Sequence, residues 1–146
     1  GPFRKKFMPA RTVMLIEDEK EMSKLYGVVL ETRGYSVISV DSVDDALTSM
    51  DQALPDIIIS DIMMPVTNGI EGCKIIRERH GRDVPLLFVS ALDDAKTVND
   101  AFDAGGDDYL TKQSSLEDVV NRVELWLEIP AEQRIELAEK SRAAWS

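Results

Sequence analysis

This chain is poor in cysteine, histidine and positive charge. There is one cysteine, Cys73, and one histidine, His80, and 17 Lys and Arg stand against 27 Asp and Glu in 146 residues, a net charge of −10 at pH 7. A single thiol excludes an internal disulfide and fits a reducing compartment. The acidic balance argues against direct binding of nucleic acid, whose phosphates would be repelled. No apolar run approaches the ~20 residues that cross a bilayer, and there is no secretory h-region. These absences predict a cytoplasmic protein with no membrane partner. Cys73 lies among helix-forming residues without a nearby base and is expected in the core. His80 sits beside Gly81 at the end of a helical pattern, where an imidazole suits a C-terminal cap better than a phosphohistidine carrier.

What is present is a regular alternation of apolar runs and helical periodicities. Gly1 to Ala10, GPFRKKFMPA, fits no pattern and is set aside as a disordered lead or an expression remnant. Thr12–Ile16 (TVMLI) is the length of a strand. Met22, Leu25, Tyr26, Val29 and Leu30 then recur at helical spacing up to Gly34. Tyr35–Val40 is a second strand, and Ser42 with Asp45 opens a helix that turns Ala46, Leu47 and Met50 inward. After the strand Ile57–Ser60, helix Gly69–Arg79 carries Ile70, Cys73, Ile75 and Ile76. Strand Pro85–Ser90 leads to helix Ala95–Ala104, closed by Gly105 and Gly106. Strand Asp108–Leu110 leads to a helix from Ser115 with Val119, Val120, Val123, Trp126 and Leu127. Strand and helix alternate five times, which predicts an α/β sandwich on a parallel sheet.

The most informative stretch is PDIIISDIMMPVTNG, Pro55 to Gly69. Ile57, Ile58, Ile59 and Ser60 lack polar alternation, as does a strand buried on both faces. Asp61 then stands at its carboxyl end, the side on which open parallel sheets bind ligands. The first strand also runs into acids, Glu17, Asp18 and Glu19. Acids at a helix start can serve the dipole alone. If the two strands are neighbours, however, Glu17, Asp18 and Asp61 share one crevice and repel unless a cation joins them.

Thr12 to Glu128 resembles the receiver domain of bacterial two-component response regulators. The matching pieces are Glu17 and Asp18 after the first strand, Asp61 after the third, Pro65 and Gly69 four and eight residues later, Ser90 and Ala91 after the fourth, and Tyr109 and Lys112 at the fifth. The resemblance implies a flavodoxin-like, doubly wound five-stranded parallel sheet of order 2-1-3-4-5 with helices on both faces, formed by residues 11–129. It implies that Asp61 accepts a phosphoryl group from a sensor histidine kinase or a histidine phosphotransfer protein. Asp18 and Asp61 would bind Mg²⁺ (or Mn²⁺) directly, Glu17 through water, and Met63 through its backbone carbonyl. Lys112 and Ser90 would meet the phosphoryl oxygens. Tyr109 would fill the space Ser90 vacates and so change the surface of the fourth helix, fifth strand and fifth helix toward an output protein or domain. Such a chain is not an enzyme with a separate substrate; it assists its own phosphorylation and dephosphorylation.

Two departures matter. Gln113 follows Lys112 where the family usually has a proline with a cis peptide, and a non-proline cis bond costs about 3 kcal/mol, so this peptide is expected to be trans. Residues 130–146 form an appendage with Ala131, Ile135, Ala138, Arg142 and Trp145 on one helical stripe. So thin a stripe needs a partner. It can fold back on the receiver, serve as a linker, or pair with its copy in a homodimer, the option we expect. Met63 and Leu92, two residues past Asp61 and Ser90, are apolar and predict a covered, long-lived phosphoryl group. The rival reading is a pseudo-receiver that binds protein without phosphorylation. A flavodoxin-like cofactor carrier fits less well, because Glu17, Asp18 and Glu19 would repel a bound phosphate.

Overall fold

The computed structural model describes residues 9–146; the lead expected over residues 1–10 therefore lies, up to residue 8, outside the described residues. Five parallel strands, β1 (Thr12–Ile16), β2 (Ser36–Val40), β3 (Ile57–Ser60), β4 (Leu86–Ser90) and β5 (Asp108–Thr111), lie in the order β2-β1-β3-β4-β5. The predicted order is thus the observed one. Met14 faces both Ile38 and Ile58 across the sheet, and Ile59 faces Leu87, so the β-branched runs stack on one another. The helices are α1 (Lys20–Thr32), α2 (Val43–Gln52), α3 (Gly69–His80), α4 (Ala95–Asp103), α5 (Leu116–Glu128) and α6 (Arg134–Ala143), the last preceded by a 3-10 turn at Ala131–Gln133.

Two cores result, one on each face of the sheet. Met14, Ile16, Ile58 and Phe88 meet α2, α3 and α4 through Leu47, Met50, Ile76 and Phe102. Val13, Leu15, Ile59 and Val89 meet α1 and α5 through Tyr26, Leu30, Val123 and Trp126. Successive residues of a strand point to opposite faces, so an unbroken apolar run feeds both cores at once. Helix starts are set by short polar side chains: the Ser42 hydroxyl accepts from Asp45 N at 3.1 Å and the Ser115 hydroxyl from Asp118 N at 3.0 Å. Leu25, grouped by periodicity with the inward stripe of α1, is instead half exposed. Cys73 is buried, its thiol pushed up to about 11 by burial, which leaves it inert at neutral pH.

Buried charge ties the elements together at the strand starts. Asp107 accepts from Arg77 at 2.8 Å, from Arg82 at 3.0 Å and from Leu86 N at 2.9 Å, linking α3, β4 and β5. Asp108 accepts from Arg122 at 2.7 Å and from the Trp126 indole at 2.8 Å, fixing α5 to β5. The appendage takes the first of its three expected fates and folds back on its own chain. Leu137 and Ala138 pack against the α1 and α5 core, while Ile135, assigned to the contact stripe by spacing, is 73% exposed. Ala138, Arg142 and Trp145 of the expected stripe do reach the receiver, at the α1–α5 core, Asp103 and Tyr109, and Leu137 joins them where Ile135 was expected. The packing of α6 within the chain gives no support to the homodimer expected through it.

Candidate functional site

Asp61 is fixed at the end of β3 by hydrogen bonds to its backbone and to one carboxylate oxygen. Its N–H donates to Ile16 O at 3.0 Å, which joins it to the end of β1, and the Ser60 hydroxyl donates to its carbonyl at 2.8 Å. Its Oδ1 accepts from Ile62 N at 2.7 Å. Helix α3 begins directly beneath: Gly69 N donates to Ile62 O at 2.8 Å, and a Cβ on Gly69 would collide with the Asp61 carbonyl oxygen. That is why a glycine stands eight residues after the aspartate. The intervening loop turns at Val66, whose φ of 69° and flanking Thr67 N to Pro65 O bond at 2.8 Å form a tight turn that a β-branched residue rarely adopts.

The acids of β1 come to the same crevice. Glu17 is buried and anchored by its N–H to Val40 O at 3.0 Å. Carboxylate oxygens of Glu17, Asp18 and Asp61 lie within 4.8 Å of one another. Lys112 reaches in from the end of β5, its Nζ 2.8 Å from Glu17 Oε1, 2.9 Å from Asp61 Oδ2 and 3.7 Å from Glu19 Oε1. Burial works against the ammonium, yet its bonds to Glu17 and Asp61 outweigh this and raise its pKa. The Glu17 carboxyl is pushed up to about 7, chiefly by burial; the Lys112 bond pulls it back and the Asp61 charge adds to the rise. Lys112 answers only one of the three acid charges. The other Glu17 oxygen, Oε2, is buried with no hydrogen-bond partner. Such an orphan is costly, and hard oxygen donors with two negative charges left over fit a divalent cation.

Ser90, Tyr109 and Lys112 meet on the neighbouring strand ends. Lys112 N donates to Ser90 O at 2.8 Å, so the lysine is anchored to β4 even though Gln113 replaces the family proline. The peptide between Lys112 and Gln113 is trans, as expected. Ser90 is fully buried, and its hydroxyl accepts from Leu92 N at 3.2 Å. The Tyr109 hydroxyl donates to Leu92 O at 2.6 Å. Burial raises the phenol's pKa, and the neighbouring Ser90 hydroxyl draws it partly back. Met63 lies in the loop two residues past Asp61 with its side chain 61% exposed, so it does not form the cover that its size suggested. Leu92 is partly buried and packs against the α2–α4 core.

Sequence reasoning brought seven residues to this site by motif; it did not find the contacts that cross the chain. The carbonyl that receives the Tyr109 hydroxyl belongs to Leu92, which carries no side-chain signal for that role. Trp145 was placed by spacing on the contact stripe of the tail, without a partner being named for it. It packs edge-on against Tyr109, ring centroids 5.3 Å apart, and its indole N–H donates to Tyr109 O at 3.2 Å.

The doubly wound sheet thus gathers three acids that could hold a cation, a lysine and a hydroxyl at the carboxyl ends of its strands, beside the topological switch point between β1 and β3. The family described as the response regulator receiver domain matches residues 13–124. The chain belongs to that family. It is 33% identical over 112 residues to protein RcaC of Microchaete diplosiphon, covering 76% of this chain and 17% of that protein. It is 37% identical over 112 residues to the nisin biosynthesis regulatory protein NisR of Lactococcus lactis subsp. lactis, covering 77% of this chain and 48% of that one. The chain thus spans half or less of the curated relatives it matches. Among solved structures, a putative response regulator from Chloroflexus aurantiacus superposes with a TM-score of 0.78 at 29% identity, covering 83% of this chain and 100% of that one. Among the described residues, no helix is long and apolar enough to cross a membrane.

Proposed function

We propose that this receiver domain is a phosphorylation-dependent switch in which Asp61 accepts the phosphoryl group. The observation that carries the reading is the convergence on Asp61 of one lysine and two further acids, with an unpartnered carboxylate oxygen of Glu17 left over. An Asp61 carboxylate oxygen attacks phosphorus on a phosphohistidine of a sensor kinase or phosphotransfer protein. The P–O bond forms as the P–N bond breaks, and the imidazole nitrogen keeps the electron pair and takes a proton. Asp18 and Asp61 directly, Glu17 through water and the Met63 carbonyl would hold a divalent cation, Mg²⁺ or Mn²⁺, which would supply the charge neutralisation that lets two anions meet. Lys112 exchanges its carboxylate partners for a phosphoryl oxygen, and the Ser90 hydroxyl turns from Leu92 N to donate to another. Tyr109, already turned inward onto Leu92 O, is held there more firmly once Ser90 moves, and the surface of α4, β5 and α5 is altered for an output protein or domain. The switching unit is residues 11–129, in the cytoplasm with its donor, and residues 130–146 are an addition to it.

Intact mass after incubation with acetyl phosphate and Mg²⁺ tests this directly. One phosphoryl group should be gained, and Asp61→Asn should abolish the gain. An Asp61→Asn chain that still gains a group of comparable stability would sink the assignment. No gain by the parent would favour a binding module that works without phosphorylation.

A further inference from the structure

The tail meets Tyr109 through a single residue, Trp145. Tyr109 is only 2% exposed although β5 is the edge strand of the sheet, and the residue lying over it is Trp145, itself 36% exposed. An edge strand leaves one row of backbone groups without a partner strand. Here the Tyr109 carbonyl is taken by the Trp145 indole at 3.2 Å. The same tail grips the end of α4: Arg142 bonds Asp103 at 2.6 Å, and its guanidinium stands 5.7 Å from the centre of the Phe102 ring. At its other end Arg134 donates to Asp83 O at 2.7 Å. Between these grips lies a cleft of about 450 Å³, lined by Arg82, Phe102, Gly106, Ala138 and Arg142 among others. A ten-residue helix is marginal by itself and owes its place to these grips and to the packing of Leu137 and Ala138.

We propose that the C-terminal helix is a latch on the α4–β5 face, in which Trp145 is a positioning residue that holds Tyr109 in its inward place, so that docking of the tail and occupation of Asp61 favour each other. The physical basis is steric and reciprocal. With the phenol bonded to Leu92 O beside Ser90, the ring occupies the inner space and Trp145 closes the outer one. Outward rotation of Tyr109 would require Trp145 to leave. When the Ser90 hydroxyl is drawn to a phosphoryl oxygen, the inner space for the phenol opens further and the tail is held more firmly. By linkage, whatever docking of the tail contributes to the affinity of Asp61 for its ligand is returned as tighter docking of the tail when that ligand binds. A partner that uses the α4–β5 face must then displace a segment of this same chain.

This inference rests on the phosphoacceptor reading of Asp61, and its test separates the two. The full chain and its Trp145→Ala, Trp145→Phe and Arg142→Ala variants are titrated with beryllofluoride and Mg²⁺, and hydrogen exchange of residues 131–146 is followed with and without the mimic. We expect Trp145→Ala to weaken binding of the mimic by about fivefold, the low end of ordinary coupling between sites. Trp145→Phe should recover most of the loss, because a ring still covers Tyr109. Arg142→Ala, which loosens the tail without touching Tyr109, should weaken the mimic to an intermediate degree. In the parent, the mimic should slow exchange in the tail. Equal affinities in the parent and Trp145→Ala, with tail exchange indifferent to the mimic, would overturn the latch and leave the phosphoacceptor reading intact. A parent that does not bind the mimic at all would overturn both.

Discussion

Met63 and Leu92 show how much can hang on two side chains beside a reacting group. Hydrolysis of an acyl phosphate needs a water held in line with phosphorus, and neither residue carries a polar atom that can hold one. Because Met63 is 61% exposed, the effect expected here comes from the lack of a hydrogen bond and not from a lid over the site. Met63→Asn should shorten the lifetime of the phosphorylated chain by about tenfold, since one well-placed bond contributes on the order of 1.4 kcal/mol to the transition state. Intact mass followed over time after removal of the donor gives the rate. A variant that decays no faster than the parent would show that Met63 does not limit the water's approach. Asp61, Glu17 and Asp18 were legible at this scale, because they follow apolar runs directly, whereas Lys112 was picked out only by the family resemblance. Tyr109's partner was not, because a backbone carbonyl leaves no mark on the sequence.

At the scale of elements, the site is built from where α3 starts. Gly69 lets the helix N-terminus abut the Asp61 carbonyl, and Asn68 caps it by accepting from Glu71 N at 2.9 Å. Gly69→Ala should force the helix and the loop at Val66 apart from β3. The expected cost is about 1–3 kcal/mol, as for other overpacked sites, together with weaker Mg²⁺ binding because Asp61 moves. Urea unfolding and calorimetric titration with Mg²⁺ measure the two effects. Parent-like values in both would mean that the helix start is free to shift. In the tail, spacing found Ala138, Arg142 and Trp145, which reach the receiver, but it also chose Ile135, which is exposed, and passed over Leu137, which packs inward.

For the molecule as a whole, the two ends of the sheet do different work. The carboxyl ends carry three acids and one lysine, an unbalanced set that repels itself and waits for charge. The amino ends carry Asp107 with Arg77, a buried pair at 2.8 Å, and three carbonyls that also receive the Arg77 guanidinium, those of Gly105, Gly81 and Val84. The buried, fully partnered charges thus lie at the end of the sheet opposite the acids. Asp107→Ala strands the Arg77 charge and leaves Leu86 N unpaired, so it should cost about 3–5 kcal/mol, while Arg82→Ala should cost less than about 1 kcal/mol because that arginine is largely exposed. Chemical denaturation of the two variants provides the comparison. Similar losses for both would argue that Asp107 acts through the exposed pair.

By itself the sequence determined the alternation of five strands with helices, hence a parallel sheet, and the acids that follow the first and third strands; the strand order came with the family resemblance. Hydrophobic period and strand length are local properties, and a run such as Ile57–Ile59 admits few folds. It also determined that Lys112 is followed by a trans peptide, because Gln113 lacks the ring that makes the cis form accessible. Tertiary structure decided what depended on distance across the chain. The 36-residue separation of Tyr109 and Trp145, and the separation of 51 between Asp61 and Lys112, are closed only when β5 takes the sheet edge and α6 folds over it. The fate of the tail was decided there as well. A thin apolar stripe needs some partner, but which partner depends on what the finished sheet leaves uncovered, and that was the outer side of Tyr109.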